Sequence, residues 1–223
     1  MDTHPFHNYL FFKVKNGFYQ LPKDKQDKQK AAFGKWLNVN KKLIITPYAT
    51  LGFKPQTTFM LWCRGQNPRQ MQSTLPDLFR TDFGQWLKLT YTFFGIVRES
   101  QYSGRSGKPE QTIQNFTERL PYFIVYPFTK TTEWHQMDLE ERKKIMGEHI
   151  KVGVGYPEIR QCLLYSYGID DYEFVVSYET DNLEHFQDLV INMRSTKSRV
   201  YTQTDIPIFT CIHKPLKDLL EWL

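Results

Sequence analysis

The sequence predicts an α+β fold made of two tandem ferredoxin-like units, each with the order β-α-β-β-α-β, which together form a dimeric α+β barrel. Three observations predict it. The same succession of strand-like and helix-like segments occurs twice within 223 residues, an asparagine precedes the second helix of both copies, and 16% of the residues are aromatic. Such a repeat is typical of duplicated units, and such a composition is typical of a packed core. A single irregular α+β sheet is the alternative interpretation.

The first copy occupies residues 1–98. Polar helical patterns cover Asp24–Asn40 and the stretch from Asn67 to about Leu87. The second pattern is broken at Pro76, where a new helix is expected to start because proline suits a first helical turn. Apolar runs bounded by turn residues predict strands at His7–Tyr19, Lys42–Leu51, Thr57–Gly65 and Tyr91–Ser100.

The second copy occupies residues 120–223, and residues 99–119, rich in glycine, serine and charge, are expected to form a surface loop that could cover a pocket. Helical patterns cover Asp138–Lys151 and Asp181–Ser195, the latter with Asn182 as its cap. A short amphipathic tail follows at Leu216–Leu223. Strands are predicted at Pro121–Phe128, Arg160–Gly168, Tyr172–Thr180 and Ile206–His213.

The composition excludes several classes of function. A net charge of +5 is too small for a nucleic-acid-binding surface, although it suits a pocket for a small anion. Three widely spaced cysteines give neither a zinc motif nor a disulfide framework, so a reduced cytoplasmic location is expected. No basic leader and no apolar run of about 18 residues is present, so we expect a soluble protein without a membrane partner.

His149 lies near the end of the helix that begins at Asp138. That helix opens with a capping-box pattern, and at helical spacing Leu139, Met146 and His149 form one stripe with Arg142 at its edge. The stripe directs His149 toward the protein interior. Helix geometry alone favours a packing residue over a ligand.

The strands predicted at Pro121–Phe128 and Arg160–Gly168 make a ligand-binding role for His149 possible. Alternation gives each of these strands an apolar and aromatic face. Arg160 points away from the face of its own strand, and Lys130 continues the face of the other. A slot between these faces and His149 would suit a large, flat, apolar ligand with anionic substituents. The two faces consist of Tyr122, Ile124, Tyr126 and Phe128, and of Gln161, Leu163, Tyr165 and Tyr167.

Four segments resemble the chlorite dismutase-like haem protein family: FFGIVRESQYS, YFIVYPFTKTTEWHQMDLEERKKIMGEHIKVGVGYP, LLYSYGIDDYEFVVSYETDNLEHFQDLVINMR and PIFTCIHK. The family includes chlorite dismutases, coproheme decarboxylases of bacterial haem synthesis and related haem peroxidases. The resemblance extends from about Tyr91 to Lys214 and is fainter before that. It implies haem b or iron-coproporphyrin in the C-terminal unit, hydrogen peroxide as co-substrate, and a homo-oligomer, with a pentamer favoured.

The resemblance also implies roles for individual residues. His149 matches the proximal iron ligand, and its other ring nitrogen is expected to need an acidic or carbonyl partner such as Glu173. Within YPFTK, Tyr126 matches a redox-active tyrosine and Lys130 a lysine that holds a porphyrin propionate. Trp134 follows this motif at the cofactor, and Arg199 is a second candidate cation for the propionates.

Gln161 matches the distal position, which is glutamine in firmicute-type coproheme decarboxylases and arginine in chlorite dismutases. A register slip of one residue would place Arg160 there instead. Phe128 and His135 depart from residues usual in relatives. The sequence therefore predicts a haem-dependent, peroxidase-type oxidoreductase like coproheme decarboxylase, with catalytic Tyr126, Lys130 and Gln161. A chlorite dismutase, or a haem-binding or haem-sensing protein, is the alternative.

Overall fold

The computed structural model describes residues 4–39, 43–102 and 113–223. Residues 103–112, about half of the predicted surface loop, lie outside these ranges. Two compact units are present: Met1–Ile96 together with Thr210–Leu223, and Val97–Phe209. Residues 210–223, which the sequence pattern assigns to the second copy, therefore pack with the first unit.

Nine strands occur within the described ranges. Within each unit, the neighbouring strands whose register is known pair in antiparallel fashion. Each predicted strand is present with shifted ends, but the end of the first prediction is wrong, because Asn16–Tyr19 forms a helix. The strands are β1 (Phe6–Val14), β2 (Ile44–Ala49), β3 (Phe59–Gly65), β4 (Leu87–Val97), β5 (Tyr122–Lys130), β6 (Arg160–Tyr165), β7 (Phe174–Thr180), β8 (Thr202–Thr204) and β9 (Phe209–His213).

Seven α-helices accompany these strands in the described part of the chain, and none of them is long and apolar enough to cross a membrane. The segments Gly84–Trp86, Ile113–Asn115 and Lys197–Tyr201 form 3₁₀ turns. The helices are α1 (Asn16–Tyr19), α2 (Lys23–Val39), α3 (Pro68–Phe79), α4 (Thr132–Gln136), α5 (Leu139–Val154), α6 (Leu183–Arg194) and α7 (Leu216–Trp222).

The first unit has the strand order β4-β1-β3-β2-β9. Its first four strands alternate with α2 and α3 in the β-α-β-β-α-β order, so the predicted α+β class with ferredoxin-like units is confirmed. Alternate residues of β1 and β3, such as Leu10, Phe12, Phe59 and Leu61, join the buried core of this unit.

The second unit has the strand order β6-β7-β5-β8. In its central register Val176 of β7 lies opposite both Tyr126 and Leu163, so these three side chains share one face of the sheet. Helices α5 and α6 cover that face, because Val152 and Leu189 belong to the same apolar cluster as Val176. The candidate functional residues of this unit lie on or beside this covered face.

Local chemistry explains the helix ends. Asn67, Asp138 and Asn182 each accept a backbone N–H of the first helical turn, as the sequence predicts. The predicted restart at Pro76 is wrong, because α3 runs through this residue. Pro76 is exposed, so water can hydrate the carbonyl that its missing N–H leaves unbonded.

The interior stripe of α5 also differs from the sequence prediction. Leu139 is 37% exposed, whereas Ile145 is buried. Ile145 and Val152 flank His149 at spacings of four and three residues, which places all three on the inner side of the helix. The buried stripe of α5 therefore begins at Ile145 and does not include Leu139 in the first turn.

Gly84 allows the 3₁₀ turn before β4 to lie directly against the end of α3. A Cβ at this position would lie 2.7 Å from the Cα of Phe79 and would collide with the carbonyl oxygen of Leu78. We expect Gly84→Ala to lower the free energy of unfolding by about 3 kcal/mol, because backbone atoms have to move. Gly147→Ala is the matched control, since no atom lies within 4 Å of its Cβ position in α5. It should raise stability by about 0.5 kcal/mol, and equal urea midpoints for the two variants would contradict the expectation.

Candidate functional site

His149 is joined to two hydroxyl groups that follow α6. Its Nδ1 lies 3.1 Å from the Oγ of Ser198. The Ser198 Oγ lies 3.0 Å from the Oγ1 of Thr196, and Thr196 donates to the backbone oxygen of Met193 at 2.7 Å. Among the described residues, no hydrogen bond reaches the other ring nitrogen of His149, Nε2. A nitrogen in this state is suited to bind a metal.

The expectation that Glu173 holds the His149 ring is wrong. The Oε2 of Glu173 accepts the backbone N–H of Lys130 at 2.7 Å, and its Oε1 lies 2.7 Å from Nε2 of His135. Glu148, beside His149 in sequence, accepts the backbone N–H of Lys197 at 3.0 Å. The partner of His149 is therefore a neutral hydroxyl.

The environment of His149 keeps its ring uncharged. Burial, together with the nearby ammonium of Lys130, lowers the pKa of His149 to about 4. At pH 7 the ring is therefore a neutral imidazole. This is the protonation state that a histidine needs in order to coordinate a metal.

Lys130 ends β5 with its side chain turned into this region. Its Nζ lies 3.3 Å from the backbone oxygen of Ser198 and 3.3 Å from the Oγ1 of Thr202. The Nζ also lies 4.8 Å from the ring centre of Trp134, which is 1% exposed. Burial and, to a smaller extent, the Arg199 cation lower the pKa of Lys130 to about 8, against an opposing effect of Glu173. The ammonium thus contacts two neutral oxygens in a partly desolvated place, which suits a site for a carboxylate.

Tyr126 lies on the covered face of the sheet. Its ring is stacked on that of Tyr178 with 6.2 Å between centres. Burial raises the pKa of Tyr126, while a hydrogen bond with Tyr178 acts in the opposite direction. The phenol is therefore protonated at neutral pH and held in place by a second phenol.

The strand register separates Gln161 from Arg160. Gln161 lies opposite Tyr178 and so shares the face of Tyr126, with its side chain exposed. Arg160 lies opposite Glu179, and its NH1 is 3.3 Å from the Oε2 of that fully buried carboxylate. This places Arg160 on the other side of the sheet, in agreement with strand alternation.

Arg199 already has an acidic partner. Its NH1 lies 2.8 Å from the Oδ2 of Asp205, and Arg194 lies 3.4 Å from the same oxygen. Arg199 therefore acts on Lys130 and Tyr126 through its charge, and it is a weaker candidate than Lys130 for binding a further anion.

A metal at His149 would need most of its ligands from a bound group. Within residues 4–39, 43–102 and 113–223, no cluster of three or more His, Cys, Asp or Glu side chains could hold a metal ion. A porphyrin supplies four nitrogens of its own, so one histidine completes such a site. An aromatic and apolar face beside a lysine also suits the porphyrin plane and its carboxylates. The residues present therefore fit an iron porphyrin.

Comparison with known proteins identifies the family. The chlorite dismutase family model matches residues 23–214, which is most of the chain. The chain belongs to the chlorite dismutase family. It is 28% identical over 164 residues to coproheme decarboxylase from Mycolicibacterium smegmatis, which covers 73% of this chain and 70% of that protein. It is 22% identical over 191 residues to chlorite dismutase from Ideonella dechloratans, which covers 82% of this chain and 66% of the other.

The fold of the chlorite dismutase family is also found in solved structures. A variant of chlorite dismutase from Candidatus Nitrospira defluvii superposes with a TM-score of 0.91 at 23% identity, covering 100% of this chain and 96% of the other. The same enzyme in complex with imidazole gives a TM-score of 0.90 at 22% identity, with 100% and 96% coverage. The relatives are haem-dependent enzymes, so membership of the chlorite dismutase family makes this chain a haem-dependent oxidoreductase by class.

Three of the residues predicted from the sequence lie close together in the structure: Lys130, Trp134 and His149. Tyr126 and Gln161 share the adjacent sheet face. The sequence reasoning missed three further residues, which give no periodic or motif signal. These are Tyr178, Thr196 and Ser198.

Proposed function

We propose that this protein is a peroxide-driven decarboxylase that converts propionate side chains of iron-coproporphyrin to vinyl groups. The observation that carries the proposal is the position of Arg160, whose guanidinium pairs with the buried Glu179 on the side of the sheet away from Tyr126. Of Arg160 and Gln161, it is therefore the glutamine that lies on the Tyr126 face, which favours this activity over chlorite chemistry.

Each residue has a defined task in this proposal. His149 binds the iron through Nε2, while its Nδ1 remains bonded to Ser198. Lys130 supplies the counter-charge for a propionate, because its ammonium contacts only neutral oxygens at hydrogen-bonding distance. Trp134 holds the ammonium of Lys130 over its ring, 4.8 Å from the ring centre. Gln161, exposed on the Tyr126 face, can donate a hydrogen bond to peroxide without adding charge.

Tyr126 is the residue proposed to react with the substrate. With peroxide, a bound iron porphyrin would supply two oxidising equivalents for each propionate, one to oxidise Tyr126 and one to accept the electron released when the carboxylate leaves as carbon dioxide. Tyr126 gives up its phenolic hydrogen, and the resulting tyrosyl radical removes a hydrogen atom from the propionate chain. Overall, one propionate, one hydrogen peroxide and one proton give one vinyl group, carbon dioxide and two water molecules. Lys130 keeps the carboxylate beside Tyr126 while its C–C bond breaks.

The first experiment asks whether the chain binds the substrate through His149. Titration of the purified protein with iron-coproporphyrin should give a shifted Soret band, and His149→Ala should raise the dissociation constant by about 100-fold. His185→Ala is the control, since this exposed histidine of α6 lies beside Glu158 and should leave binding unchanged. Identical spectra for wild type and His149→Ala would exclude the proposed ligand.

The second step of the experiment adds peroxide and follows the product by mass. Loss of carbon dioxide from bound coproheme supports the proposed activity. Oxygen release from chlorite would instead indicate a chlorite dismutase, and tight binding without either reaction would indicate a haem carrier or sensor. Either of these two outcomes contradicts the decarboxylase proposal, and either would still be consistent with a chain that binds an iron porphyrin.

Assembly and compartment also belong to this proposal. We infer a homo-oligomer, with a pentamer favoured, to be checked by light scattering. We also infer a reduced, cytoplasmic location. The three cysteines, Cys63, Cys162 and Cys211, support it because all are free and buried. Secretion of the native protein, or a disulfide among these cysteines, would contradict this inference.

A further inference from the structure

The hydroxyl groups behind His149 have only one consistent arrangement of protons. The backbone oxygen of Met193 can only accept, so Thr196 must donate its single hydroxyl proton to it. The Oγ1 of Thr196 then has only lone pairs for its 3.0 Å contact with Ser198. Ser198 must therefore be the donor in that contact.

The same reasoning continues to the ring. Because the Ser198 proton points to Thr196, the Ser198 oxygen can only accept in its 3.1 Å contact with Nδ1 of His149. A neutral imidazole carries one ring proton, so this proton must be on Nδ1. The lone pair is consequently on Nε2, the nitrogen to which no hydrogen bond is seen among the described residues.

We propose that Thr196 and Ser198 are positioning residues that fix His149 as its Nδ1–H tautomer through an uncharged hydroxyl relay. The tautomer is a property of the ligand-free chain, whereas binding of iron to the free Nε2 rests on the proposed function. The relay ends at Met193, in the last turn of α6, so the orientation of the ring is tied to the end of that helix.

The surroundings explain why the partner of His149 is uncharged. The ionisable groups that the structure describes beside this region do not replace Ser198. Glu148 binds the backbone of Lys197, Glu173 binds Lys130 and His135, and Lys130 brings a positive charge. The burial of Thr196 and Ser198, which are 5% and 3% exposed, also prevents water from exchanging places with the hydroxyls.

An uncharged partner has a measurable consequence for a bound metal. A carboxylate would draw the Nδ1 proton and make the ring a stronger electron donor, which stabilises the ferric state. A hydroxyl draws it less, so the reduction potential of the iron should be higher than in a variant with an acid at the same place. The relay thus sets both the direction and the strength of the ligand.

The test uses the ligand-free protein. Nitrogen-15 NMR of His149 at pH 7 should show the Nδ1–H tautomer in the wild type. Thr196→Val keeps the side-chain shape but removes the acceptor of the Ser198 proton, which is then free to turn toward Nδ1. We expect the Nε2–H form to rise at least about tenfold. Thr196→Ser retains the hydroxyl and should keep the wild-type tautomer.

Two results would overturn the proposal: a wild-type protein in the Nε2–H form, or a Thr196→Val protein that retains the wild-type tautomer. Ser198→Ala provides a second route if Thr196→Val does not fold, because it removes the acceptor itself and should also raise the Nε2–H population. An unchanged tautomer in that variant contradicts the relay just as directly.

The coproheme-loaded protein provides an independent measurement. Ser198→Asp should lower the reduction potential, and Ser198→Ala should weaken coproheme binding about tenfold. An unchanged potential in Ser198→Asp would contradict the electronic part of the proposal. If the wild type binds no iron porphyrin, the proposed function fails, whereas the tautomer result in the ligand-free protein still decides the relay.

Discussion

Replacing Tyr126 with phenylalanine is expected to reduce the rate of coproheme decarboxylation by about 1,000-fold and to leave coproheme binding within about threefold. In the proposed reaction the phenolic O–H of Tyr126 is oxidised to a radical. Phenylalanine has no such group, so the variant cannot carry out this step. Binding should persist because the ring remains in the apolar cluster of β5, β7 and the two covering helices. Single-turnover measurements with one equivalent of peroxide, followed by product mass, check both parts.

Tyr178→Phe is the matched control for this experiment. It removes the hydrogen bond to Tyr126 and keeps the stacked ring, whose centre lies 6.2 Å away. We expect a loss of about tenfold or less, because Tyr126 still has its hydroxyl. A Tyr126→Phe protein as fast as the wild type would show that another residue oxidises the propionate. A Tyr178→Phe protein as slow as Tyr126→Phe would move the reactive role to Tyr178.

Strand alternation was the most informative property of the sequence. Side chains in a strand point alternately to opposite faces, so placing Tyr126 and Gln161 on one face and Arg160 on the other requires only the correct register. The structure has that register, with Gln161 opposite Tyr178 and Arg160 opposite Glu179. The repeated β-α-β-β-α-β order could be predicted because apolar runs bounded by turn residues mark the strands and helical periodicity marks the helices.

Interactions between distant segments could not be predicted from the pattern. Ser198 lies 49 residues after His149, in a 3₁₀ turn without hydrophobic periodicity. Glu173 was a reasonable acidic partner by type. It comes just before β7, however, so strand alternation does not define its direction, and the structure turns it to Lys130 and His135. Residue type alone therefore suggested the wrong partner for His149.

Replacing Lys130 with methionine is expected to have opposite effects on stability and on binding. The ligand-free protein should become more stable by about 2 kcal/mol at pH 7, because burial and Arg199 disfavour the ammonium. Coproheme binding should weaken by about 100-fold, since a buried propionate then lacks its cation. Urea unfolding and coproheme titration measure the two effects. Lys151→Met, at an exposed lysine of α5, is the control and should change neither value appreciably.

The pH dependence separates the charge of Lys130 from its shape. In the native chain the pKa of Lys130 is lowered from 10.5 to about 8. Between these two values the unfolded chain binds more protons than the native one, so wild-type stability rises with pH in this interval. The advantage of Lys130→Met should therefore be complete below pH 8 and should shrink toward zero as the pH approaches 10.5. An advantage that stays constant to pH 10 would mean that methionine simply packs better. A less stable variant at pH 7 would mean that the two hydrogen bonds of the ammonium outweigh its desolvation, and Lys130 would then hold the fold together as well as the propionate.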